Sequence, residues 1–204
     1  MAGWSATGSG GRILVTGFGP FGDERVNPSG LIARRLGGIE LPVAADEAWE
    51  RTREELQTRG CSGVLALGVA GGRDRVCVEA RAANASDYRL PDDFGRRCGG
   101  VIDGSVPTLG LSSRVPASMM ARRMRGVGVP ARVSRDAGRY VCNHFYFLLL
   151  RRLAGRAVFV HVPRLPEEAA RLGGGPSLSL DQAERAVSAG LRLMDRWLTE
   201  LACR

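Results

Sequence analysis

The chain has 204 residues, 44% of them apolar, and a formal net charge of +8. These values are ordinary for a globular protein, and the length fits one large domain better than two. All of the basic residues are arginines scattered among acidic residues, which indicates a solvated surface and argues against nucleic-acid binding. No run of about 18 apolar residues occurs, which argues against a membrane span.

The composition of the first residues and the spacing of the cysteines each lead to a prediction. Residues 1–11 are polar and rich in Gly and Ser, which predicts a disordered leader, so residues 12–204 form a single α/β domain. An odd number of cysteines with no CxxC spacing argues against a disulfide framework and a zinc ribbon. That pattern predicts a reducing, cytoplasmic location. The cysteines are Cys61, Cys77, Cys98, Cys142 and Cys203.

Short apolar runs alternate with helical patterns along the chain. The runs predict strands at residues 12–16, 63–67, 76–82, 131–134 and 157–161. The helical patterns lie at residues 28–36, 46–59, 116–125, 145–155 and 180–201. Asn27 is a predicted helix cap, and Ser179 with Gln182 forms a predicted capping box. This order predicts a three-layer α/β/α sandwich with a mainly parallel, mixed sheet.

Cys142 lies in the string AGRYVCNH, where a short extended run turns into an apolar helix. Unpaired N–H groups and the helix dipole favour a thiolate at such a helix start. Because the thiolate is the nucleophilic form, this position predicts covalent catalysis. The simpler interpretation is a buried cysteine that acts as a small hydrophobic residue.

Two further side chains complete a candidate triad with Cys142. His161 ends a predicted strand, where an imidazole can act as base toward a thiol at a helix start in the same sheet. Glu79 lies in an otherwise apolar run and can orient that imidazole. The simpler interpretations are a hydrogen-bonded histidine and a glutamate paired with Arg81. A zinc site formed by Cys142, His144 and His161 lacks any recognised ligand spacing.

The loop after the first strand contains the pattern G-x-G-x-x-G, from Gly17 to Gly22. This pattern raises the alternative of a nucleotide-binding oxidoreductase. In that motif a helix opens within the glycine turn and its N–H groups meet the pyrophosphate. Here Pro20 and two phenylalanines fill the loop, and the next capping signal is Asn27, so the nucleotide interpretation is weak.

Four blocks of the sequence resemble, in the same order, the motifs of the pyroglutamyl peptidase I family, the pyrrolidone-carboxylate peptidases. They are RILVTGFGPFGDERVNPSG, ALGVAGGR with VEARAANASDYRLPDD, SRDAGRYVCNH and VFVHVPRLPEE. The resemblance implies a cytosolic cysteine exopeptidase that removes an N-terminal pyroglutamyl residue from peptides. It implies no metal and no cofactor.

The resemblance also implies roles for individual residues. Cys142 becomes the nucleophile, His161 its base and Glu79 the orienting carboxylate, and Arg89 assists at the oxyanion. A pocket for the uncharged pyroglutamyl lactam is expected to be neutral and aromatic. The residues that match pocket positions are Phe18, Phe21, Asn27, Val69, Tyr140 and Val141.

The sequence departs from the family pattern in the substrate region. Val69 stands where a glutamine is common, and the stretch PTLGLSSRVP lacks the usual tyrosine and phenylalanine. The segment between Cys142 and His161 is also shortened, and so is the stretch before Leu41, where the loss of an edge strand is expected. These changes keep open a diverged, weakly active or inactive member that binds a lactam or peptide. They also leave open whether the chain assembles as a dimer or tetramer.

Overall fold

The structure is a computed structural model that describes residues 13–107 and 109–203, and the predicted leader lies outside the described residues. The helices are α1 (Pro28–Arg35), α2 (Ala45–Arg59), α3 (Ala117–Gly126), α4 (Val141–Arg152), α5 (Pro166–Arg171) and α6 (Leu180–Ala202). The strands are β1 (Ile13–Phe18), β2 (Ile39–Leu41), β3 (Gly63–Val69), β4 (Val76–Glu79), β5 (Arg81–Ala82), β6 (Ser86–Asp87), β7 (Gly99–Gly100), β8 (Leu111–Ser112), β9 (Ala131–Ser134) and β10 (Ala157–Val162).

Six strands form the central sheet, in the order β2-β1-β3-β10-β4-β9. The pairs are parallel except that β4 runs antiparallel to β10. The predicted fold class is therefore confirmed: a three-layer α/β architecture with a mostly parallel, mixed sheet. The short strands pair separately, β5 with β8 and β6 with β7.

The sheet separates two apolar clusters, and β10 illustrates the division. Val158 and Val160 belong to the cluster that contains side chains of α1, α3 and α6. Phe159 belongs to the opposite cluster, with side chains of α2 and α4. Because successive strand residues point to opposite faces, His161 points to the same face as Phe159. The imidazole is thereby directed toward the side of the sheet that α4 covers.

The predicted helix ends are confirmed at both capping signals. The Asn27 side chain accepts a hydrogen bond from the backbone N–H of Ser29 and so caps α1. Ser179 and Gln182 form the capping box of α6. The buried face of α6 includes Ala183, Val187, Met194 and Leu198. Among the described residues, no helix is both long and apolar enough to cross a membrane.

Two local predictions were wrong. The edge strand expected to be lost is present as β2, which pairs in parallel with β1. The run 76–82 is not one strand, because the chain leaves the central sheet at Ala80. The Ala80 N–H still bonds to Ser134, but its carbonyl accepts from the Ser113 N–H, which directs the chain toward the β5–β8 pair.

Candidate active site

Glu79 and His161 meet on neighbouring strands of the sheet. His161 Nδ1 lies 2.9 Å from Oε1 of Glu79, and the glutamate side chain is fully buried. Glu79 is in register with Phe159, two positions before His161 on β10, so the contact is diagonal across the antiparallel pair. A neutral imidazole that donates through Nδ1 presents its Nε2 lone pair as a base.

Burial lowers the pKa of His161, and the Glu79 hydrogen bond opposes that effect. Desolvation disfavours the imidazolium, so His161 is neutral and able to accept a proton near neutral pH. The imidazole therefore combines the orientation and the protonation state that a general base needs.

An arginine that was not predicted from the sequence also binds this carboxylate. Arg73 lies 2.6 Å through Nη1 from the same Oε1 of Glu79, and its Nη2 donates to the backbone oxygen of Asp136 at 2.8 Å. Glu79 is thus paired with Arg73, and the alternative of an Arg81 partner does not hold, because Arg81 has left the central sheet on β5. Oε2 of Glu79 has no hydrogen-bond partner among the described residues.

Cys142 is the second residue of α4, and its thiol reaches the sheet above β3. A β-carbon added at Gly68 would lie only 3.1 Å from Sγ of Cys142. Gly68 is the register partner of His161 on the adjacent parallel strand. Partners in such a ladder point to the same face and lie about 4.8 Å apart. The structure therefore brings the sulfur, the imidazole and the Glu79 carboxyl together on one face of the sheet.

The thiol is not stabilised as an anion in this state. Burial raises the pKa of Cys142 to about 12, and the charge of Glu79 contributes to the rise. The expectation that the helix start alone would favour the thiolate was wrong, because desolvation outweighs the N–H groups of the first turn. The resting sulfur is protonated, and its proton must pass to a base before attack.

A small pocket opens beside the thiol. It has a volume of about 210 Å³, counting the space at its open mouth, and its lining residues are Phe18, Phe21, Asn27, Val43, Val69, Tyr140 and Cys142. Five of the six residues predicted to bind substrate line it. Val43 was missed, since no motif marks it. The sixth residue, Val141, has its side chain buried in the apolar core beneath α4.

Aromatic rings form one wall of the pocket. The rings of Phe21 and Tyr140 stack with their centroids 5.9 Å apart, and Tyr88 packs against Tyr140 at 4.9 Å. The Tyr140 hydroxyl donates to the backbone oxygen of Pro91 at 2.9 Å, which holds the ring in place. Phe18 is buried on the floor. The wall is therefore fixed by contacts outside the pocket.

Two predicted site residues are less directly placed for contact with a substrate. Asn27 lines the pocket, but its Oδ1 caps α1 and its Nδ2 donates to the Gly19 oxygen at 2.8 Å. Arg89 is exposed, and its guanidinium has no hydrogen bond or ion pair within residues 13–107 and 109–203. Its assistance at the oxyanion stays a prediction.

The nucleotide and zinc alternatives find no support in the geometry. No helix opens within the Gly17–Gly22 turn, because α1 begins at Pro28. His144 Nδ1 is 3.0 Å from the Tyr88 hydroxyl. The part of the chain that the structure describes contains no group of three or more His, Cys, Asp or Glu side chains that could hold a metal ion.

Comparison with known proteins shows the family of the chain. The family model for pyroglutamyl peptidase matches residues 11–196, which is most of the chain. The chain belongs to the pyroglutamyl peptidase family. A relative from Yersinia pestis (strain Pestoides F), named pyrrolidone-carboxylate peptidase, is 36% identical over 89% of this chain and 94% of its own length.

Solved structures of family members share the fold. Pyrrolidone carboxyl peptidase from the hyperthermophile Pyrococcus furiosus has a TM-score of 0.84 at 30% identity, covering 91% of this chain and 99% of that chain. Pyroglutamyl peptidase I from Bacillus amyloliquefaciens has a TM-score of 0.83 at 30% identity, covering 90% and 94%. This member of the pyroglutamyl peptidase family is thus a cysteine peptidase with the family fold.

Gly68 offers a first test of the site in this pyroglutamyl peptidase family member. A β-carbon there would lie 2.8 Å from the Phe159 ring and 3.1 Å from Sγ of Cys142, so both must shift. We expect Gly68→Ala to lower the free energy of unfolding by about 1–3 kcal/mol and to reduce kcat, because the sulfur is displaced. Thermal unfolding and turnover of a pyroglutamyl amide measure the two effects.

The matched control is Gly126→Ala at the end of α3, where a β-carbon meets nothing within 4 Å. That change is expected to leave turnover at the wild-type value and to keep stability equal to the wild type or up to about 1 kcal/mol above it. A Gly68→Ala variant with wild-type kcat would show that the thiol does not depend on the close approach to β3.

Proposed function

We propose that this protein hydrolyses the amide bond after an N-terminal pyroglutamyl residue, with Cys142 as nucleophile, His161 as general base and acid, and Glu79 as the orienting carboxylate. The observation that carries the proposal is the 2.9 Å contact between His161 and Glu79 on the sheet face that also holds the Cys142 sulfur. The family membership supports the reaction class, and the pocket supports the substrate class.

The pocket lining suits a lactam. None of the described residues that line it has a charged side chain, and its aromatic wall matches a flat five-membered ring. An ordinary peptide N-terminus would bring an ammonium group into this neutral slot, where it would lose hydration without gaining a partner. Pyroglutamate lacks that charge, so the same lining that admits it disfavours other N-terminal residues.

Acylation begins with proton transfer from Sγ of Cys142 to Nε2 of His161 as the sulfur attacks the pyroglutamyl carbonyl carbon. The sulfur–carbon bond forms and the carbonyl oxygen gains a negative charge. Backbone N–H groups in the first turn of α4 are the proposed donors to that oxygen, with Arg89 as a proposed helper. The C–N bond then breaks while the imidazolium gives its proton to the leaving amine.

Deacylation repeats the sequence with water. Neutral His161 removes a proton from water, the oxygen attacks the thioester carbon, and the sulfur–carbon bond breaks. The proton returns from the imidazolium to the sulfur, and free pyroglutamate leaves. Glu79 holds the imidazole through Nδ1 in both halves and stabilises its charged form.

The proposal predicts turnover of a pyroglutamyl amide of a fluorogenic amine and no turnover of the matched prolyl amide, which has the same ring size but a charged nitrogen. Iodoacetamide should abolish turnover in step with alkylation of Cys142, followed by peptide mass spectrometry. Equal rates on both amides would contradict the lactam pocket, and full activity after alkylation would contradict the nucleophile.

The diverged binding protein is the second candidate, favoured by Val69 in the pocket and by the raised pKa of the thiol. It predicts that purified protein binds pyroglutamate, measured by calorimetry, but releases no amine from the fluorogenic amide. Multiple turnovers by the wild-type protein would rule it out.

A further inference from the structure

Arg73 joins three separate segments around the carboxylate. It ends a turn after β3, in which its N–H bonds to the Ala70 oxygen at 3.3 Å. Its guanidinium binds Glu79 on β4 and the Asp136 oxygen in the loop that leads into α4. The side chain is about one-fifth exposed, so this ion pair is largely shielded from water. Arg73 therefore connects the elements that carry the imidazole's partner and the nucleophile.

We propose that Arg73 is a positioning residue of the reaction: its guanidinium fixes the Glu79 carboxylate so that Oε1 faces His161. This inference rests on the proposed function. Among the described residues, Arg73 forms no hydrogen bond to the thiol and does not line the pocket, so its contact with the reacting groups is through Glu79, while its charge acts on them across space.

The hydrogen bonds of Glu79 are asymmetric. Oε1 accepts hydrogen bonds from both His161 and Arg73, whereas Oε2 has no hydrogen-bond partner among the described residues. With the imidazole alone, rotation of the carboxylate would exchange its two oxygens at little cost. The Arg73 guanidinium, which also binds the backbone oxygen of Asp136, is the second donor. It selects Oε1 and holds that oxygen within hydrogen-bond distance of the imidazole. Fixing the carboxylate in turn fixes the direction in which Nε2 points.

The charge of Arg73 acts on both members of the proton-transfer pair. It lowers the pKa of His161 and lowers the pKa of Cys142, because a nearby cation disfavours the imidazolium and favours the thiolate. The other titratable groups that face this pair come from β4, the loop before α4 and the loop after β1. They are Glu79, Cys77, Asp136 and Glu24.

The test compares Arg73→Met, Arg73→Lys and a control, Arg75→Met. The Arg75 side chain is 43% exposed and, among the described residues, forms its ion pair with the neighbouring Asp74. We expect Arg73→Met to lower kcat/KM about 10- to 100-fold at neutral pH. This loss is smaller than the loss expected when a general base itself is removed, because His161 remains but is less well positioned. Its pH profile should move upward by about one unit, since both pKa values rise. Arg73→Lys should recover most of the rate, and Arg75→Met should match the wild type.

A second readout needs no substrate. Removing the cation leaves less thiolate at any given pH, so Cys142 should be alkylated by iodoacetamide more slowly in Arg73→Met than in the wild type, as followed by peptide mass spectrometry. Circular dichroism checks that the variant is folded, and Arg73→Lys provides the comparison if the methionine variant is not.

Active wild type with an unchanged pH profile and alkylation rate in Arg73→Met would overturn this inference while leaving the proposed function standing. A lysine variant as impaired as the methionine variant would also overturn the charge argument. If the wild-type protein shows no turnover, the proposed function itself is contradicted.

Discussion

Replacing Cys142 with alanine is expected to lower kcat/KM for a pyroglutamyl amide on the order of 10⁴- to 10⁶-fold, the largest effect of any single substitution considered. Without the sulfur no thioester forms, so the remaining His161 and Glu79 have no acyl-enzyme to hydrolyse. The pocket keeps its aromatic wall, so pyroglutamate should bind nearly as well as before. Steady-state kinetics and calorimetry on the same sample separate these two effects.

The matched control for this cysteine is Cys203→Ala, because Cys203 is exposed beyond the last residue of α6. That variant should retain wild-type turnover and lose only one site of alkylation. Residual activity above about 1% in Cys142→Ala would contradict nucleophilic catalysis by this residue.

The second large effect is expected for Glu79→Gln, which keeps the size of the side chain but removes its charge. A neutral amide stabilises the imidazolium poorly and can hold the wrong tautomer, so kcat should fall about 10³- to 10⁴-fold. The pH profile of the residual activity should move downward, because the charge of Glu79 raises the pKa of both His161 and Cys142. This direction is opposite to that expected for Arg73→Met.

The same substitution leaves the Arg73 guanidinium largely buried beside a neutral group, which should lower the midpoint of thermal unfolding. Glu184→Gln on α6 is the control, since Glu184 pairs with Arg35 at the surface, away from the pocket. Its kinetics should equal those of the wild type. A Glu79→Gln variant with wild-type kcat would remove the orienting carboxylate from the mechanism.

The main strands were predictable because their signals are local. Strands buried on both faces have continuous apolar runs, and β3 and β10 were predicted from their observed first residues. The edge strand β2 has only three residues, and β5 to β8 have two each, too few to show any periodicity. The break after Glu79 depends on Ser113, far along the chain, and no local pattern records it.

The site was predictable in its residue types and less so in its contacts. Residue type, location and family motifs selected Cys142, His161 and Glu79, and the pocket agrees with most of the expected lining. Arg73 was missed because Arg81 is nearer to Glu79 in sequence. The available signal was the pair of glycines before Arg73, which lets the chain fold back toward β4. Burial of the thiol is a tertiary property that a helix start does not reveal.

The protonated state of the thiol bears on how long the protein stays active in air or under peroxide. Because burial raises the pKa of Cys142 to about 12, the anion is a very minor form at neutral pH. Oxidants convert the anion, not the thiol, to sulfenic acid and then to irreversible higher oxides. Between catalytic cycles the nucleophile is thus kept in the form that oxidants attack most slowly, and sensitivity to damage is confined to the moments when His161 holds its proton.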